Sequence, residues 1–165
     1  MNTTIVIIRK GDKILLGKKK RGFALGKYIG IGGKQENGEP IDTTMVRETR
    51  EEICITPTAY SQVGLITFDT YYKGRHENLI LNIYLCTDYT GTPTETDEIL
   101  PEWFDADNIP YDKMLEDDIL WMEKVLRGEL VAGHVRFSPE LVMMGCDIHS
   151  VSESELKEII EKYKE

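Results

Sequence analysis

A glycine pair, Gly32-Gly33, then a polar spacer, then Arg47-Glu48-Thr49-Arg50-Glu51-Glu52 form the stretch that most restricts how this chain can fold. Without a Cβ, a glycine pair lets the backbone pass close to another group. The glutamates at 48, 51 and 52 are spaced i, i+3 and i+4, so in a helix turning about 100° per residue they share one face. Val46, Thr49 and Ile53 fall on the opposite side, which would dock on a core. Clustered carboxylates repel one another unless something neutralises them, and a hard, oxygen-preferring cation such as Mg²⁺ does so. The alternative is a solvated acidic face: the chain has 29 acidic residues in 165, and Arg47 with Glu51 is an ordinary i, i+4 pair.

A hydrophobic content of 41% over 165 residues suffices for one core, so a single domain spanning 1–165 is expected. The net charge of −9 argues against broad binding to nucleic-acid polymers, which calls for a basic surface. It leaves a small nucleotide open as a partner, since a metal and a few local cations can supply the compensating charge. Cys54, Cys86 and Cys146 have no metal-ligand spacing and point to buried thiols in a reducing compartment. The apolar run Ile5 to Ile8 is too short for a signal-peptide core or a membrane span, so a cytoplasmic protein without membrane contact is expected.

The pattern of elements is that of an α/β (α+β) fold. Thr3–Ile8 and Lys13–Gly17 read as strands joined by a Lys10-Gly11-Asp12 turn, with a Gly- and Lys-rich loop over 18–30. Asp42 reads as the cap of a helix to about Ile53, with Pro40 just ahead. Strands follow at Gln62–Tyr72 and Asn78–Cys86, then a polar loop over Asp88–Pro101 and a short strand at Glu102–Asp105. A second helix within Asp112–Arg127 would place Leu115, Ile119, Met122 and Leu126 on one face and end at Gly128. Strands at Leu130–Phe137 and Leu141–Ile148 precede a tail helix at about 152–164, which opens with the capping box Ser152-x-x-Glu155. That helix packs on its own sheet in a monomer or, alternatively, serves a homodimer. Trp103 and Trp121 read as core, and His76, His134 and His149 as isolated residues.

The register Gly33, five residues, Glu39, seven residues, Arg47-Glu48-x-x-Glu51-Glu52 resembles the Nudix box of the Nudix hydrolase family. Thr49 stands where that box has an aliphatic residue and Cys54 where it has glycine. Leu15-Leu16-Gly17, Lys20-Arg21-Gly22-Phe23, Gly91-Thr92-Pro93, Asp97-Glu98, Trp103-Phe104 and Asp117-Asp118 extend the resemblance from roughly Thr3 to Phe137. They are similar to the MutT-like branch, in particular the animal-type oxidised purine nucleoside triphosphatases that act on 8-oxo-dGTP and 2-hydroxy-dATP. The resemblance implies the Nudix fold, a mixed β-sheet sandwiched between helices. It also implies Mg²⁺-dependent hydrolysis of a purine nucleoside triphosphate to monophosphate and pyrophosphate, in sanitation of the nucleotide pool.

On this resemblance Glu48, Glu51 and Glu52 hold Mg²⁺, for which Mn²⁺ can substitute, helped by the backbone carbonyl of Gly32. Glu98 is a further ligand or lies near the attacking water. Arg47 joins the catalytic set as an organiser of the carboxylates. Glu39 either accepts a hydrogen bond behind the ligands or is an exposed loop acid. Gly33, Lys34 and Lys19 belong to the phosphate side, although the Lys18–Arg21 cluster also reads as a solvated loop. Thr4, Phe23, Phe68, Asp117 and Asp118 are implied around the purine. Paired aspartates can read a base edge if one is protonated; otherwise they are acids favouring a helix N-terminus. Ile29 replaces an asparagine that hydrogen-bonds the base in the animal-type enzymes, and Leu115 replaces a tryptophan that stacks on it. These two departures keep open other Nudix substrates: unmodified nucleoside triphosphates, dinucleotide polyphosphates or nucleotide sugars. A non-catalytic nucleotide-binding protein is the third reading.

Overall fold

The computed structural model describes residues 1–164. In chain order the elements are β1 (Asn2–Lys10), β2 (Lys13–Lys19), β3 (Tyr28–Ile29), α1 (Ile41–Ile53), β4 (Ile55–Tyr72), β5 (Arg75–Gly91) and β6 (Ile99–Asp105). After a 3-10 turn at Tyr111–Lys113 come α2 (Asp118–Leu126), β7 (Leu130–Phe137), β8 (Met143–Val151) and α3 (Glu153–Lys162). All eight strands join one sheet, ordered β3-β2-β1-β5-β4-β7-β8, with β6 paired to β2. β1 runs parallel to β5 and β4 parallel to β7, while the remaining pairs are antiparallel, so the sheet is mixed.

Alternation along β1 sorts the interior into two layers. Val6 and Ile8 point into a layer with Leu15, Met45 and Ile53, which seats α1. Ile7 points the other way, into a layer with Ile14, Leu16, Trp121 and Met122, which seats α2. Each of these side chains is fully buried, and burial of a large aliphatic residue stabilises by about 1.5–3 kcal/mol. The sandwich expected from the sequence is therefore present, with helices on both faces.

Differences from the sequence reading have local causes. Helix α1 opens directly behind Pro40, which has no capping side chain, so Asp42 is not the cap. It sits inside the first turn, where its charge faces the positive helix end and its Oδ1 accepts the Thr43 N–H at 2.9 Å. The buried residues of α1 are Thr44, Met45, Thr49, Glu52 and Ile53, with Val46 only half-buried, so the buried face includes Glu52. Strands β4 and β5 are longer than expected, because pairing from Ile55↔Gly91 to Tyr72↔Arg75 carries polar residues into one long hairpin. The expected loop over 88–101 is correspondingly shortened at both ends. Helix α2 starts only at Asp118 and buries Trp121, Met122 and Val125, leaving Ile119 exposed. Trp103, expected in the core, is 38% exposed, on a strand that pairs with β2 alone. The capping box of α3 forms as expected: the Glu155 N–H donates to Ser152 Oγ at 3.2 Å, and the Ser152 N–H donates to Glu155 Oε1 at 3.4 Å. The helix lies against β4 and β7 through buried Leu156.

Candidate active site

The glycine pair is pressed against β1. Thr4 donates its N–H to the Gly33 carbonyl at 2.8 Å, and Val6 donates to the Ile31 carbonyl at 2.6 Å. The Gly32 carbonyl between them accepts no hydrogen bond among the described residues. A Cβ on Gly32 would collide with the Thr4 backbone carbonyl, and one on Gly33 with the Glu48 carboxyl group. Glycine is required at both positions for close approach, to a strand in one case and to a catalytic candidate in the other.

The three box glutamates share a helix but not an environment. Glu51 is 58% exposed, whereas Glu52 is 8% exposed and receives the Gly32 N–H at 3.4 Å. Burial first, and the neighbouring Glu48 carboxylate second, push Glu52 up to about 7. Burial also raises Glu48, against the opposing pull of Arg47.

Arg47 binds Glu39 as a fork, Nε to Oε1 at 2.7 Å and Nη2 to Oε2 at 3.0 Å. Its Nη1 reaches Glu48 at 2.9 Å and Glu51 at 3.2 Å, and Nη2 also donates to the Lys34 carbonyl at 3.1 Å. Glu39 additionally accepts from Thr44 Oγ1 at 2.7 Å, and the Arg47 fork is the main cause that holds its carboxyl down to about 2. It is thus the acceptor behind the helix and not an exposed loop acid.

Glu98, just ahead of β6, faces the helix with its side chain on Arg21 at 2.6 Å and Lys19 at 3.8 Å. The Arg21 guanidinium holds it below the usual carboxylate range. Its loop is tied to α1 by Thr96 Oγ1, which donates to the Glu52 carbonyl at 2.8 Å. Among the described residues no three His, Cys, Asp or Glu side chains converge as a finished metal site, since Arg47 and Arg21 engage three of the four glutamates. The donor set nevertheless suits a hard divalent cation: carboxylate oxygens from Glu48, Glu52 and Glu98, and the free Gly32 carbonyl.

A cleft of about 690 Å³ brings these groups together with the residues implied for the base. Glu48, Glu52, Glu98, Gly32, Gly33, Lys19 and Lys34 border it, and so do Thr4, Phe23, Phe68, Asp117 and Asp118. Arg47 and Glu51 do not; Arg47 touches the cleft lining through its hydrogen bond to Glu48. Ile29 and Leu115 also line the cleft, so the two departures lie within the site. Asp117 and Asp118 are almost wholly buried, and burial pushes Asp117 up to about 6 and Asp118 well up as well.

Sequence reasoning missed several lining residues. Phe137 stacks on Phe68 with ring centroids 6.2 Å apart, and Tyr72, under the Lys34 ammonium at 5.4 Å, comes from the tip of the β4–β5 hairpin. Neither contact leaves a local signal. Arg21 stood within the basic cluster and was legible only as part of it. The histidines are not all isolated: His76 and His134 flank Asp69 at 3.5 and 3.3 Å, away from the cleft, because β4 pairs with both β5 and β7 at that level.

The NUDIX domain profile matches residues 1–127. Over 134 residues the chain is 39% identical to the oxidized purine nucleoside triphosphate hydrolase of Danio rerio, a match covering 81% of this chain and 85% of that protein. It is 33% identical over 148 residues to the protein of the same name from Mus musculus, covering 90% and 94%. Among solved structures, a MutT protein from Bacillus halodurans superposes with a TM-score of 0.79 at 25% identity, covering 89% of this chain and 96% of that one. With the profile spanning most of its length and Gly32, Gly33, Glu48 and Glu52 of the box bordering one cleft, the chain belongs to the Nudix hydrolase family.

Proposed function

We propose that the protein hydrolyses purine (deoxy)nucleoside triphosphates, oxidised forms such as 8-oxo-dGTP among them, to the monophosphate and pyrophosphate, thereby cleansing the nucleotide pool. The observation that carries this reading is a single cleft bordered by an acidic helix face, by Lys19 and Lys34, and by a buried aspartate pair. The names of the fish and mouse relatives support the same substrate class.

Glu48, Glu52 and Glu98 with the Gly32 carbonyl would hold Mg²⁺, with Mn²⁺ as a substitute and Glu51 reaching in once released by Arg47. Such ions shield phosphate charge and lower the pKa of water at the site. Lys19 and Lys34 pair with the polyphosphate. Arg47, anchored on Glu39, keeps Glu48 and Glu51 from scattering. Gly33 leaves the space that Glu48 occupies. Phe23, Phe68 and Thr4 border the purine, whose edge meets Asp117 and Asp118. Water adds to one phosphorus and gives up its proton to a site carboxylate or to solvent, the P–O bond bridging the α- and β-phosphates breaks, and monophosphate and pyrophosphate separate.

The same reading takes the chain as one Nudix domain with an appended helix, working as a cytoplasmic monomer. Burial of Leu156 against the protein's own sheet supports the monomer. No helix among the described residues is long and apolar enough to cross a membrane. A second reading, hydrolysis of another nucleoside diphosphate derivative, is favoured by Ile29 and Leu115, which supply the cleft with neither a hydrogen bond nor a π-face.

The deciding experiment is a substrate panel with Mg²⁺: 8-oxo-dGTP, 2-hydroxy-dATP, dGTP, dATP, ADP-ribose and diadenosine polyphosphates, with products identified. A higher kcat/KM for an oxidised purine triphosphate supports the proposal. A preference for ADP-ribose or a dinucleotide would replace it by the second reading.

A further inference from the structure

The last carbonyls of a helix have no partner within it. In α1 two of them are taken by the loop that precedes β6. The Thr94 N–H donates to the Ile53 carbonyl at 3.0 Å, and Thr96 Oγ1 donates to the Glu52 carbonyl at 2.8 Å. The same hydroxyl accepts the Glu98 N–H at 3.4 Å. One oxygen, donating once and accepting once, thus joins the backbones of Glu52 and Glu98, and both of these residues border the cleft. Lys20 grips the loop as well: its N–H donates to the Glu98 carbonyl and its ammonium to the Thr96 carbonyl, each at 2.9 Å. The Glu98 side chain is 40% exposed and meets only Arg21 and Lys19 among the charged groups described, so its reach across the cleft is set by where the loop fixes its backbone.

We propose that Thr96 is a positioning residue: its hydroxyl fixes the span between Glu52 on the helix and Glu98 on the loop, so that the two carboxylates act as one ligand set for a divalent cation. The inference rests on the reading of Glu52 and Glu98 as ligands. Thr96 is not among the residues bordering the cleft and acts through the two backbones it joins. A ligand set drawn from a helix and a loop needs such a tie, because a loop alone does not hold a carboxylate to the accuracy that coordination demands. Valine has nearly the same shape but neither donor nor acceptor, and it would leave the Glu52 carbonyl and the Glu98 N–H without this partner. Serine keeps both functions.

Calorimetric titration of the nucleotide-free protein with Mn²⁺ reads the tie without turnover. Thr96→Val is expected to weaken Mn²⁺ binding about tenfold, and Thr96→Ser to stay within about twofold of wild type. With 8-oxo-dGTP and a fixed Mg²⁺ concentration, kcat of Thr96→Val is expected to fall about tenfold while KM for the nucleotide stays within about threefold. Glu98→Gln separates positioning from general support of the fold. Once that ligand is removed the hydroxyl has no second carboxylate to place. Thr96→Val/Glu98→Gln is therefore expected to bind Mn²⁺ within about twofold of Glu98→Gln alone. Thermal melts accompany each variant, and Thr96→Ala, which removes the hydroxyl without adding an apolar methyl group, is expected to repeat the pattern of Thr96→Val.

If Thr96→Val and Thr96→Ala bind Mn²⁺ as wild type does, or if the tenfold loss recurs in the Glu98→Gln background, the hydroxyl supports the loop only and the inference is overturned. A Glu98→Gln protein that binds Mn²⁺ as tightly as wild type shows that Glu98 is not a ligand; the metal reading of that residue then fails, and the inference with it.

Discussion

Arg47 and Glu39 form a forked ion pair at 2.7 and 3.0 Å, and the remaining donors of the same guanidinium reach Glu48, Glu51 and the Lys34 carbonyl. One side chain thereby ties the loop after the glycine pair to the acidic face of α1. Lysine has no fork and cannot serve these acceptors together. Arg47→Lys is expected to weaken Mg²⁺ affinity by about 10–100-fold, read from Mg²⁺ titrations of activity, with a smaller effect on KM for nucleotide. Unchanged Mg²⁺ dependence would remove Arg47 from the site.

The two glycines differ in what a methyl group would strike. Gly33→Ala meets the end of the Glu48 side chain, which can swing away, so the fold survives and kcat falls. Gly32→Ala meets the Thr4 backbone in β1, which cannot yield, and is expected to cost at least the upper part of the usual ~1–3 kcal/mol for overpacking. Thermal melts beside initial rates separate the two effects.

Cys54 closes α1 in the left-handed region at φ +65°, where the family pattern has glycine. A side chain there carries a conformational cost of about 1 kcal/mol. The thiol is exposed. Cys54→Gly is expected to raise Tm by about 2–4 °C with kcat unchanged. A lower Tm would show that the thiol contributes contacts of its own.

Burial raises the Asp117 pKa to about 6 from an ordinary 3.8, so the folded protein binds this proton more tightly than the unfolded chain. Its contribution to stability is then full below about pH 4 and lost as pH rises through about 6. Asn carries no such penalty. Relative to wild type, Asp117→Asn is expected to be more stable at pH 8 than at pH 5, measured by urea midpoints. Glu39, held down to about 2, acts with the opposite sign: its contribution is present above about pH 4.5 and lost as pH falls toward 2. Glu39→Gln should therefore flatten the acid limb alone.

Periodicity and turn chemistry made most elements legible. The Thr3–Ile8 strand and the Ser152-x-x-Glu155 box needed only local sequence. The spacing of Glu48, Glu51 and Glu52 announced an acidic helix face, and the box register announced its chemistry. That Glu52 is buried while Glu51 is solvated was not legible, because it depends on how α1 rolls onto β1 and on the seat that Gly32 provides. The far wall of the cleft was equally hidden. Tyr72 reaches it through an eighteen-residue strand, and Phe137 through the parallel β4–β7 pairing, neither of which has a nearby signal. Trp121 was read as core, which it is; the hydrogen bond from its Nε1–H to Asp117 lay in the i, i+4 spacing.

The central claim is that the acidic face of α1 performs hydrolysis in this cleft, and Glu52→Gln tests it most directly because the change is nearly isosteric at a buried site. We expect steady-state pyrophosphate release from 8-oxo-dGTP with Mg²⁺ to fall by about 10²–10⁴-fold in kcat, with nucleotide Kd and the thermal melt close to wild type. A variant that turns over the nucleotide at the wild-type rate would contradict the account.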